Sequence, residues 1–134
     1  MVTVHRTLLV WGVVMLFTEP AHGQRRPITA EEIQRAGSTL RSAYDAVERL
    51  RPRWLKATPE VVGVGGMSPD SPVRFARMHV YQEDRDMGDV DYLKTIPAER
   101  VFTIRWYSMT EAGARFGPSE GPVLLVTMKP AGSN

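Results

Sequence analysis

Cysteine is absent from all 134 residues. That excludes disulfides, thiolate nucleophiles, cysteine metal sites and a lipid-modified cysteine, and it leaves the fold to packing alone. Histidine is scarce: of three, His5 and His22 stand near the N-terminus and His79 is the only one beyond them. The body of the chain therefore has no pair of imidazoles with which to hold a metal ion. An excess of one charge is also lacking. The formal net charge is +2 and the pI about 9.2, a slight basic surplus without a continuous basic face, so nucleic acid is not an expected partner. The longest apolar run, Thr7 to Phe17, covers eleven residues. At about 1.5 Å per residue it reaches only about half of a ~30 Å hydrocarbon core, too short for a permanent membrane span. Hydrophobic residues make up 43% of the sequence, which allows one ordinary domain with a modest core.

What is present begins with that run. His5 and Arg6 precede it, Glu19 and Pro20 follow it, and Ala21-His22-Gly23 then places small residues where a signal peptidase needs them. Residues 1–23 read as an export signal cleaved after Gly23, with Ala21 and Gly23 as the cleavage positions and Gln24 as the new N-terminus. The expected location is the periplasm, with association at the outer membrane as an option.

Residues 24–55 form a helical segment. Thr29 is placed as N-cap, Glu32 completes a capping box and Ile28 staples onto Ile33. Apolar residues recur at Ile33, Ala36, Leu40, Ala43 with Tyr44, Val47, Leu50 and Trp54, one stripe along a single long amphipathic helix that Pro52 brings to an end. Residues 56–74 are rich in proline and glycine and read as a linker or loop.

From 75 to 130 the pattern turns to strands. Arg74 to Tyr81 reads as a strand, Glu83 to Asp91 as a polar turn, and Val90 to Ile96 as a short helical turn before Pro97. Arg100 to Tyr107 is β-branched and aromatic, expected at the centre of a small mixed sheet, with Phe102, Ile104 and Trp106 on one face. Ser108 or Thr110 caps a brief helix that Gly117-Pro118 ends, and Val123 to Lys129 is a last, nearly continuously apolar strand. The fold class expected is α+β.

Four stretches carry a resemblance: Asp89 to Val101, Ile104 to Ser108, Ala114 to Gly117 and Val123 to Lys129. In order and spacing they resemble the plug domain of TonB-dependent outer-membrane receptors, over about residues 78–129. The resemblance implies a strand-helix-strand-helix-strand core and a binding module without catalysis. The sequence departs from the family where Glu83-Asp84 replaces the usual Asp-Gly turn, at Pro122, and at Thr127-Met128-Lys129 in place of Thr-Thr-Lys. No strand-rich barrel region follows, so a complete transporter is not expected.

Chemistry-bearing groups are few. Glu83, Asp84, Asp86, Asp89 and Asp91 could together hold calcium, although Thr95 stands where an EF-hand-like frame needs a bidentate glutamate. Ser108, His79 and Asp91 offer a Ser-His-Asp set without a nucleophile-elbow context. The expectation is a non-enzyme with no cofactor and no metal, binding an envelope or outer-membrane protein, with Trp106 and Phe116 as its partner surface. The alternatives are a structural remnant without a specific partner and a small periplasmic hydrolase.

Overall fold

The computed structural model describes residues 25–56 and 76–132. The export signal with Ala21 and Gly23, and nearly all of the Pro/Gly-rich linker, lie outside the described residues. Among them is an α+β domain on a five-stranded mixed sheet. Its strands are β1 (Ile28–Thr29), β2 (His79–Gln82), β3 (Arg85–Asp89), β4 (Val101–Tyr107) and β5 (Val123–Met128), in the order β1-β4-β5-β2-β3. All neighbours are antiparallel except β2 and β5, which run parallel from His79 opposite Val123 to Gln82 opposite Val126.

The N-terminal helical segment is three helices where the sequence stripe implies one: α1 (Ala30–Ala36), α2 (Ala43–Leu50) and α3 (Pro52–Leu55). Thr29 caps α1 as expected, its hydroxyl accepting from Glu32 N–H at 3.3 Å. The Glu32 carboxylate does not close the capping box; it pairs with Arg51 at 3.0 Å and ties α1 to the junction of α2 and α3. Gly37, at φ 95°, ends α1 in a conformation other residues rarely adopt. Residues 41–43 then run extended beside Ile96 to Ala98. Ala43 N–H donates to Ile96 C=O at 2.8 Å and Ala98 N–H to Arg41 C=O at 3.0 Å, so the break supplies backbone partners that a continuous helix would have consumed. Ser42 restarts the helix with a complete capping box, Asp45 accepting from Ser42 N–H at 3.0 Å and Asp45 N–H donating back to Ser42 Oγ at 3.2 Å. Pro52 occupies the first turn of α3, where its missing N–H costs nothing.

The apolar stripe reaches the core despite the breaks. Ile33, Ala43, Ala46, Val47 and Trp54 are buried against one face of the sheet, with Val80, Leu93, Val101, Ile104, Leu124 and Val126. Two 3₁₀ helices, Val90–Thr95 and Ala98–Arg100, complete that layer. The opposite face is covered in part by α4 (Met109–Phe116), which carries buried Ala112. Val123 and Leu125 are buried but belong to this second face, since alternate residues of a strand point to opposite sides.

The sheet corrects the sequence in three further places. Its middle strand is β5, not residues 100–107, because β5 pairs on both edges while β4 has only the two-residue β1 beyond it. The polar stretch after Glu83 holds edge strand β3, whose Arg-Asp-Met-Gly-Asp sequence has little intrinsic strand preference and is held by pairing with β2. Finally, Phe102 does not join Ile104 in the core: with a register shift between Val101 and Thr103, both Val101 and Ile104 are fully buried and Phe102 is left 50% exposed. Close chain approach explains one glycine, since a Cβ on Gly121 would lie 2.2 Å from Arg77 C=O.

Candidate functional site: the hairpin tip and the second sheet face

The β2–β3 hairpin turns through Glu83-Asp84. Glu83 adopts φ 54°, the only described non-glycine residue with positive φ. Two hydrogen bonds hold it there: its N–H donates to Val126 C=O at 3.0 Å, and its carboxylate accepts from Met128 N–H at 2.8 Å. The tip is thereby latched to the end of β5. Below it opens a cavity of about 590 Å³ lined by Gln82, Glu83, Asp84, Arg85, Met87 and Tyr92. Tyr92 O–H donates to Gln82 Oε1 at 2.9 Å, which fixes the 3₁₀ helix against the hairpin.

The acidic residues of this segment are directed to separate tasks. Asp86 accepts from Gly88 N–H at 2.8 Å and faces His79 Nδ1 at 3.3 Å across the hairpin. Asp91 accepts from Lys94 Nζ at 2.6 Å, and that contact holds the lysine above its ordinary pKa. Among the described residues no group of three His, Cys, Asp or Glu side chains comes together to hold a metal ion. Nor are Ser108, His79 and Asp91 assembled. The Ser108 hydroxyl donates to Glu111 at 2.8 Å in the capping box of α4, while His79 faces Asp86 and Asp91 faces Lys94.

The two aromatic residues singled out in the sequence are placed on opposite faces. Trp106 is half-buried against the main core. Phe116 closes the second face, its ring 4.4 Å from Tyr81 and 5.7 Å edge-on from Tyr107. Arg115 stacks over Tyr107 and Phe116 at 5.6 and 5.4 Å. Burial under this cluster raises the Tyr81 phenol pKa, with Asp86 adding to the effect. Trp106 and Phe116 thus do not make one surface. The large hydrophobic side chain that is exposed among the described residues is Phe102, on the same strand as Trp106, and the sequence gives no sign of it because strict alternation puts it beside Ile104.

These contacts define the class: a small α+β domain whose polar side chains mainly fasten backbone turns and helix ends. Compared with family models, curated proteins and solved structures, the chain matches none of them. No helix among the described residues is long and apolar enough to cross a membrane.

Proposed function

We propose that the chain is an exported, non-catalytic, plug-like module that binds a protein of the bacterial envelope. The observation that supports this reading is the element order from His79 to Met128. A hairpin, a short helix before Pro97, a strand, a Ser108-capped helix ended at Gly117, and a last buried strand follow one another as the resemblance to TonB-dependent receptor plugs implies. Fold alone does not fix function. The fates of the polar groups lend further support, since Glu83, Asp86, Asp91, Ser108 and Glu111 are each engaged in a turn, cap or pair.

The test is expression of the full chain with a C-terminal tag, followed by cell fractionation, N-terminal sequencing and affinity capture. The expected product starts at Gln24, lies in the periplasmic or outer-membrane fraction and brings a specific protein with it. An uncleaved product held in the cytoplasm, or a folded exported product that captures nothing above background, contradicts the proposal.

A further inference from the structure

A single exposed aromatic means little on its own. Phe102 differs in how it comes to be exposed. It is the extra residue of a β-bulge between fully buried Val101 and Ile104, and bulges re-aim side chains out of the regular alternation. Beside it runs a level row of short side chains in register across three strands, Thr29 opposite Thr103 and Thr103 opposite Thr127. The ring is half exposed at the edge of that row.

Basic side chains border it. Arg100 and Arg105 flank Phe102 along the chain, are exposed, and have no carboxylate partner among the described residues. Lys129 lies alongside, its N–H donating to Arg100 C=O at 2.8 Å. Glu99 stands exposed beside Arg100, and two further acids nearby are held by other contacts. Glu83 accepts from Met128 N–H. Glu31 is held below its ordinary pKa first by the Thr29 hydroxyl and its own backbone N–H, then by Arg35 and Lys129. The rim of the patch is thus an arginine pair, with Glu99 beside it, that makes no ion pair among the described residues, and arginine around a central aromatic is the composition enriched at protein interfaces.

We propose that Phe102, with Arg100 and Arg105, is the docking point for a partner protein that offers an apolar pocket bordered by carboxylates. This rests on the binding-module reading and adds the surface and the chemistry of the partner. Phe102 fills the pocket, and the two guanidinium groups meet the acidic border.

The experiment is photo-crosslinking in cells with the full chain, replacing Phe102 by benzoylphenylalanine and, separately, the exposed Glu120, which precedes β5 at the end opposite Met128. The expected result is one discrete product from position 102 that contains an envelope protein. Adding Arg100→Glu and Arg105→Glu should lower its yield at least about tenfold while circular dichroism and the melting temperature of the purified chain stay close to wild type. Arg100→Lys with Arg105→Lys should keep most of it. A product that survives charge reversal, or that proves to be a second copy of this chain, overturns the proposal. A product from position 120 and none from 102 overturns this surface but leaves envelope-protein binding standing. No product from either position removes both.

Discussion

Glu83 shows how much one residue can carry. A non-glycine residue at positive φ costs about 1–2 kcal/mol, and here the cost is offset by a side-chain bond to Met128 N–H and a backbone bond to Val126 C=O. A net hydrogen bond is worth about 1 kcal/mol. Three substitutions separate the two effects in chemical denaturation. Glu83→Gln should stay within about 0.5 kcal/mol, because the amide oxygen still accepts. Glu83→Ala keeps the strain and loses the bond, and should cost about 1 kcal/mol. Glu83→Gly loses the bond but relaxes the turn, so it should be the milder of the two losses, within about 1 kcal/mol of wild type. A glycine variant less stable than the alanine variant would show that the strain is not there. The family resemblance places its missing glycine one residue further on, at Asp84, whereas the positive φ falls on Glu83. It could not show that a carboxylate is the compensation, because its partner lies 45 residues away in sequence.

At the level of elements, α2 and α4 share one device. Each begins with a serine whose hydroxyl accepts from the third residue of the helix, while the carboxylate of that residue accepts from the serine N–H. Asp45 is held below its ordinary pKa by the N–H groups of Ser42 and Arg41, and Glu111 by the N–H and hydroxyl of Ser108. A depressed carboxyl pKa stabilises the fold at pH values above its unfolded pKa, and that stability is lost as pH falls through the folded one. Urea denaturation should accordingly give a lower stability at pH 3 than at pH 7. The double variant Asp45→Asn, Glu111→Gln should be weaker by about 1 kcal/mol at pH 7, and the gap to wild type should narrow at pH 3. A gap that is the same at both pH values would separate these carboxylates from the acid loss.

The elements were legible where the signal is local. Thr29, Ser108, Pro52, Pro97 and Gly117 mark helix ends where the structure has them, because caps and breakers act within a turn of themselves. Val123 to Met128 is read as a buried strand from its continuous apolar run. The division of the N-terminal helix was hidden because its apolar stripe continues through Gly37; the break answers to the backbone of Ile96 and Ala98, about 55 residues further on. Strand β3 and the exposure of Phe102 were hidden for the same kind of reason, since pairing and bulges depend on a neighbouring strand. Trp106 and Phe116 are named together from the sequence as a partner surface, and the structure puts the sheet between them.

At the scale of the whole molecule, the strand that unites the sheet is the last of the described ones. Among the described strands β5 alone lies between the β1–β4 pair and the β2–β3 hairpin, and its parallel contact with β2 spans residues 79 to 126. A chain delivered N-terminus first, from a ribosome or through a membrane pore, presents both halves of the sheet well before the piece that unites them. Until Val123 to Met128 arrive, the core faces of Val80 and Ile104 have no shared strand to settle against. Pulse proteolysis of chains ended at residue 122 and at residue 132 should find the shorter one cleaved as an unfolded chain and the longer one protected. β5 is therefore the closing step by which the two halves of the sheet become one.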